Sequence, residues 1–539
     1  MIRCSSKLIL AGLIAIASVA CTKKGQNIEV DLAGGEKLSL ALNETLRINI
    51  TSEPPSLDWH KASDTTSSWI TENTMEGLTA FDLNDKELGL IPALALKWEP
   101  SEGNKKWKFT LRQGVVWSDG QPFTSQNVVD GWKRLLSRET AAMYAYFLFP
   151  IKGAQAFNEG KGTWETVGIK NPTPDTVEVE LEKPMAFFPT LLTHHSTYPI
   201  RKDVVDKHGD RWTEAANIVT IGAFNMKSWQ HDKMIVLERN EKYYEAEKPS
   251  IKYIAAYMIQ EQATAINLFD SGKLDSVHKL PSVELRKQRE RKEFRQAGSL
   301  LMYYYGFNTK AKPVDNPLVR KALAQAIDRQ EIVNMLAGGQ MPLTSWVPPG
   351  MFGHEPSRGM AFNIEKAKEA LKAAGYADPA KLPKITIYFN TNEDHGRVAE
   401  NVQAQLKRNL GINVELKNEE WKVYINTLNN NTPQMWRMGW MADYPDPDNF
   451  LNLMTSYSDN NHTHWGSKRF DEIIVTAASE GDKEKRRKLY DEAQKIMLED
   501  DTIAVPLYSG VNLMLIGTRV ENYPVNVLEK YTYKRTKLK

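Results

Sequence analysis

Residues 385–416 constrain the fold more than any other stretch of the chain. Ile385-Thr386-Ile387-Tyr388-Phe389 is rich in β-branched and aromatic residues, as a strand is. Val398, Val402 and Leu406 then recur at helical spacing, and Gly411 stands where a helix stops. Ile412, Val414 and Leu416 alternate again as a second strand. Two strands joined by such a helix lie parallel, with a right-handed crossover. The class is therefore α/β, with antiparallel additions.

Those additions show elsewhere. Trp107, Phe109 and Leu111 alternate with Lys108, Thr110 and Arg112, and Val177, Val179 and Leu181 alternate with glutamates, so both read as half-buried strands. Asn316-Pro317 opens a helix with a capping residue and a proline at its first position. Leu318, Val319, Ala322, Leu323, Ala326 and Ile327 give it one apolar face, and Gly338 is its expected stop. Asn363 caps another helix that runs through Ala367, Ala370 and Leu371 to Gly375. No internal repeat and no low-complexity tract interrupts the series. Alternating elements over this length suit two lobes with a ligand cleft between them.

The N-terminus carries an export signal. Arg3 and Lys7 precede an apolar run from Leu8 to Ala20 that is too short to span a bilayer. Ser18-Val19-Ala20-Cys21 resembles a bacterial lipobox, with Cys21 as the lipid acceptor after removal of residues 1–20. The only other cysteine, Cys4, leaves with the signal, so no internal disulfide is expected. Residues 21–44 are largely polar and read as a tether. No later run is long and apolar enough to span a membrane.

Composition and motifs exclude several classes of function. Arg3 and Lys7 account for the formal charge of +2, so the exported chain is neutral and has no electrostatic footprint for nucleic acid. HExxH, GxSxG, Walker A and CxxC motifs are absent. His462 and His464 share a polar loop without further metal-ligand spacing. Asp443, Asp446 and Asp448 lack the glycine and terminal glutamate of a calcium loop. Glu419-Glu420 read as solvated acids. No metal, cofactor or catalytic residue is expected.

Six blocks then occur in order along nearly the whole exported chain. They are Ser56-Leu57-Asp58 with Glu76-Gly77-Leu78; Trp107 to Arg112 followed by Trp117-Ser118-Asp119-Gly120-Gln121-Pro122-Phe123-Thr124; Asn316 to Leu323 with Ala326-Ile327-Asp328-Arg329; the helix ending at Gly375; Gly439-Trp440-Met441-Ala442-Asp443-Tyr444 with Phe450-Leu451-Asn452; and Ala504-Val505-Pro506-Leu507-Tyr508. Together they resemble the oligopeptide-binding proteins of ABC importers, a family of extracellular solute-binding proteins with peptide-, murein-peptide- and nickel-binding members.

The resemblance implies a ligand site. Asp443 matches the aspartate that holds a peptide's α-ammonium, which needs a counter-charge because a lone buried charge costs several kcal/mol. Arg437 matches an arginine that pairs with the carboxylate of short peptides. At about 3.3–3.6 Å per residue the two backbones lie at most roughly 20 Å apart, suited to the ends of a tri- to pentapeptide. His395 matches a position serving longer ligands, while Leu428 stands where the family has a second arginine. Ser63, Asp64 and Thr65, with Gly439, Trp440 and Met441, match segments that pair with a ligand backbone as an added strand; the family often has glutamate at the place of Ser63. Tyr144, Trp421 and Trp440 match aromatic pocket positions. Leu301 and Met441 match a family disulfide that this chain cannot form.

The implied fold is type II periplasmic-binding-protein-like and three-lobed, closing by a hinge around the cleft. Lobe I is expected from 45–76, 199–298 and 510–539, lobe II from 77–198 and lobe III from 299–509. The implied function is a monomeric lipoprotein that captures short peptides and delivers them to a membrane permease, with no bond made or broken. Murein tripeptide, a nickel chelate or another solute, or a surface chaperone or sensor role, are the alternatives the resemblance leaves open.

Overall fold

The computed structural model describes residues 27–539 apart from 33–34, 86, 246 and 248. The expected signal peptide and Cys21 lie outside the described residues.

One mixed sheet of eleven strands runs through the molecule. Its order is Phe224–Gln230, Met234–Arg239, Tyr253–Tyr257, Thr45–Asn49, Ser276–His278, Ala504–Ile516, Phe294–Phe307, Met435–Met441, Ile385–Asn390 and Val414–Glu419, with Met341–Pro342 also paired to Ala504–Ile516. The βαβ unit is present as read. Ile385–Asn390 lies parallel to Val414–Glu419 across the helix Glu393–Leu410, and Gly411 ends that helix at φ 71°. Thr45–Asn49 is parallel to both of its neighbours. A separate antiparallel sheet orders Ala95–Ser101, Lys106–Leu111, Thr176–Glu180 and Ile169–Thr173. In it Trp107, Phe109 and Leu111 are buried and Lys108 is exposed, as their alternation requires.

Two long strands, Phe294–Phe307 and Ala504–Ile516, tie the halves of the large sheet together. Their mutual pairing lapses between Gly298 and Met302, opposite Ser509 to Val511. Gly510 sits in that gap, where a Cβ would come within 2.6 Å of the Leu301 side chain. Only glycine allows the two chains to pass so closely there.

Three local expectations need correction. The tether is folded from Ile28 onward: Ile28–Asp31 and Lys37–Leu40 form an antiparallel hairpin whose Val30 and Leu40 are buried against Met234, Val236 and Tyr253. Its strands are four residues each and interleaved with charges, so the alternation is too brief to read. The helix expected from Asn316 to Gly338 is two helices, Pro317–Gln325 and Arg329–Leu336. Asp328 takes the amide of Gln330 at 2.9 Å, and the buried Arg329 guanidinium bonds the carbonyls of Ile327 and Pro506, so local side-chain bonds replace the helical ladder. The second helix ends at Ala337, in the left-handed region, rather than at Gly338. Glu420 is not merely solvated, since its carboxylate caps the helix Trp421–Asn430 by accepting from Lys422 and Val423 amides.

Candidate functional site

The site is built on the strand Met435–Met441. One edge pairs along its whole length with Phe294–Phe307, from Phe307 opposite Met435 to Leu301 opposite Met441. The other edge meets Ile385–Asn390 only at Met435 and Trp436. From Arg437 onward, among the described residues, that edge has no strand partner, and the same residues line a cavity.

The cavity has two chambers with common walls at Thr65, Trp421, Met438, Gly439, Met441 and Glu529. The first spans about 890 Å³ and the second about 1400 Å³, each including space open to solvent. A side chain at 439 would press on Leu301 at 3.2 Å and on the Arg437 guanidinium at 3.5 Å, so Gly439 keeps the shared wall thin.

The first chamber ends at Asp443, whose side chain is 15% exposed. His194 Nε2 lies 3.3 Å from Oδ1, and Asn449 Nδ2 donates to Oδ2 at 2.9 Å. His194 Nδ1 accepts the Ser196 amide, which leaves Nε2 as the proton-bearing nitrogen. Asn449 is itself oriented by donors from Trp440 Nε1 and the Asp443 amide, each at 3.0 Å. The Tyr144 phenol is raised well above its ordinary pKa, first by burial and then by the Asp443 carboxylate, and so stays protonated. Among the described residues no Lys or Arg lies within 4.0 Å of Asp443. An enclosed carboxylate without a lysine or arginine beside it is a receptor for a cation.

The second chamber contains the guanidinium of Arg437. Arg437 is 8% exposed, lies 4.5 Å over the Tyr303 ring and donates to Asn390 Oδ1 at 3.0 Å. Its Nε finds no partner, and among the described residues no carboxylate lies within 4.0 Å of it. His395, in the first turn of Glu393–Leu410, meets the Tyr303 hydroxyl at 3.4 Å. Burial, then the positive charges of Arg437 and Lys279, hold the His395 pKa well below its usual value, so the ring is neutral.

Every residue expected at the site in the described chain lines one of the chambers. Ser63, Tyr144, Trp440 and Asp443 wall the first, Arg437 and His395 the second, and Thr65, Trp421, Gly439 and Met441 both. Trp421 donates its indole N–H to Asp64 Oδ1 at 3.3 Å. Leu428 is wholly buried in the core and does not reach the cavity. Asp446 pairs bidentately with Arg486 at 2.9 Å, and Asp448 takes the Tyr444 hydroxyl at 2.7 Å. His462 packs against Trp436, while His464 meets the Thr432 hydroxyl at 3.1 Å. Among the lining or supporting residues that had not been expected are His194, Asn449, Lys279 and Glu529. Of these, only Asn449 could have been suspected, from its place beside the Phe450-Leu451-Asn452 block.

Residues 89–462 match the model of the bacterial extracellular solute-binding proteins, family 5. The oligopeptide-binding protein OppA of Bacillus subtilis is 37% identical over 480 residues, covering 86% of this chain and 87% of its own. The structure superposes on Haemophilus influenzae OppA in complex with RPPGFSPFR at a TM-score of 0.87, with 30% identity over 92% of this chain and 99% of that one. The Escherichia coli murein tripeptide binding protein MppA gives 0.87 at 29% identity, over 92% of this chain and 98% of that one. An MppA in its unliganded open form gives only 0.62 at 29% identity, over 95% of this chain and 99% of that one. This chain belongs to the bacterial extracellular solute-binding proteins of family 5, with their type II periplasmic-binding-protein-like α/β fold. The halves of the present structure do not stand as they do in the open form.

Proposed function

We propose that this protein is the substrate-binding component of an ABC peptide importer, which captures short peptides through their backbone and termini and delivers them to a permease. The observation that carries this reading is the charge layout along one free strand edge. Among the described residues, Asp443 stands at one end without a lysine or arginine, Arg437 at the other without a carboxylate, and the backbone between them lacks a strand partner. A zwitterionic peptide laid along Met438–Met441 would satisfy all three, its ammonium on Asp443, its amides on the strand edge and its carboxylate on Arg437. Backbone pairing is indifferent to side chains, which gives broad specificity. Tyr144, Trp421 and Trp440 wall the space for those side chains, Ser63 and Thr65 face the ligand from the opposite segment, and His395 serves ligands that extend into the second chamber.

The lobes are taken as 45–76, 199–298 and 510–539 for lobe I, 77–198 for lobe II and 299–509 for lobe III. The lapse in pairing at Gly298 to Met302 supports a hinge at the junction of lobes I and III. Among the described residues no helix is long and apolar enough to cross a membrane. The protein is held outside the cytoplasm by a lipid on Cys21, acts as a monomer and makes or breaks no bond.

Native mass spectrometry of the purified protein tests the reading. A ladder of short-peptide masses, displaced by added tripeptide, is expected. A uniform sugar or metal adduct that tripeptides cannot displace would overturn it.

A further inference from the structure

Resting on the peptide-binding reading of this cavity, we propose that Lys279 makes the site select peptides bearing an acidic side chain at an interior position. Lys279 follows the short strand Ser276–His278 and walls the second chamber, where its side chain remains accessible. Its ammonium lies 5.3 Å from the ring of Trp69, which walls the first chamber. The cation therefore stands between the two ends of the ligand rather than at either.

The charged groups that face Lys279 are Asp64, Glu529 and Arg437. Among the described residues none of the carboxylates lies within 4.0 Å of it. Asp64 is committed elsewhere, accepting from the Thr66 and Ser67 amides, the Ser67 hydroxyl and the Trp421 indole. Glu529 accepts from the Ser299 hydroxyl at 2.8 Å, and burial raises its pKa, which weakens it as a counter-charge. The second chamber thus holds two cations, Arg437 and Lys279, that lack close anionic partners. A peptide's terminal carboxylate neutralises one of them. A second carboxylate, on a side chain, neutralises the other.

The backbone supports a built position. Lys279 has φ 55°, Glu529 φ 49° and Thr51 φ 70°, and all three wall the second chamber. Non-glycine residues rarely adopt this region, and such strain persists where surrounding structure fixes it, most often at ligand sites. Here the buried Gln262 side chain holds the Lys279 carbonyl.

Calorimetry with tetrapeptides that carry Glu or Gln at the second or third of four positions, alanine elsewhere, tests the inference. The wild type is expected to bind one Glu peptide about ten-fold more tightly than its Gln counterpart. Lys279→Met is expected to erase that difference by weakening the Glu peptide alone, its unchanged affinity for the Gln peptide showing that it is folded. Equal wild-type affinity for Glu and Gln peptides at both positions would overturn the proposal. So would a preference that survives in Lys279→Met, or an equal loss for every peptide, which would make Lys279 a reader of the chain terminus. If the wild type bound none of the four, the peptide reading would fail and this inference with it.

Discussion

The Nε2 of His194 lies 3.3 Å from the Oδ1 of Asp443, so the anion at the end of the first chamber is approached by an imidazole from a segment almost 250 residues away in the chain, and by no lysine or arginine among the described residues. A ligand ammonium entering the chamber would complete this carboxylate. Asp443→Asn keeps the shape and removes the charge. It is expected to weaken a free-amine tripeptide by about 2–5 kcal/mol and its N-acetylated form far less. Calorimetry giving equal losses for both would show that Asp443 does not face the ammonium.

Arg437 makes the converse test. Its guanidinium is stacked on Tyr303 and bonded to Asn390, but its Nε is left over. Arg437→Met should cost a tripeptide with a free carboxylate about 2–3 kcal/mol, roughly a hundred-fold, and cost the C-terminal amide little. An equal loss for acid and amide would place the ligand's carboxylate elsewhere.

What could be read from sequence follows from how local each feature is. The unit 385–416 was legible because strand, helix and stop each declare themselves within a few residues. The hairpin of Val30 and Leu40 was not, since its apolar residues gain meaning only against Met234 and Tyr253, some 200 residues away. The break at Asp328 was hidden because the apolar periodicity continues across it, while Arg329 bonds a carbonyl at Pro506. The same holds at the site. Arg437 to Asp443 lie on one strand and its continuation, so one motif places both ends of the cavity. Lys279, His194 and Glu529 come from three other segments, and only packing brings them there.

Acid should destabilise the fold through its buried histidines, and His60 isolates the effect. Its Nε2 donates to the Tyr198 carbonyl and its Nδ1 accepts from Arg134, both at 3.1 Å, so the ring is neutral. Burial first, then Arg134, lowers its pKa to about 4 from 6.5. Between those values the unfolded chain binds the proton and the folded chain does not, so this contribution to stability is lost as pH falls from 6.5 towards 4. The slope is about 1.4 kcal/mol per pH unit. His60 lines neither chamber. Urea denaturation across this window should show stability falling more steeply in the wild type than in His60→Gln; parallel slopes would contradict the assignment.

Leu301 and Met441 are direct partners across two antiparallel strands, and both wall the second chamber. Residues so opposed have Cα atoms about 4.5–5.5 Å apart, within the range a disulfide spans. The doubly substituted Leu301→Cys, Met441→Cys protein should therefore oxidise readily and lose two free thiols on titration. The link closes a long loop and should raise unfolding free energy by about 4–5 kcal/mol over the reduced form. The crosslink joins residues that are already paired and leaves the Gly298 to Met302 lapse opposite Ala504–Ile516 unaltered, so tripeptide affinity should change less than about three-fold. Thiols that remain free under mild oxidant would mean that the register at this end of the strand differs. A crosslink that forms but abolishes peptide binding would instead mean that the Met441 side chain, not only its backbone, is part of the peptide contact.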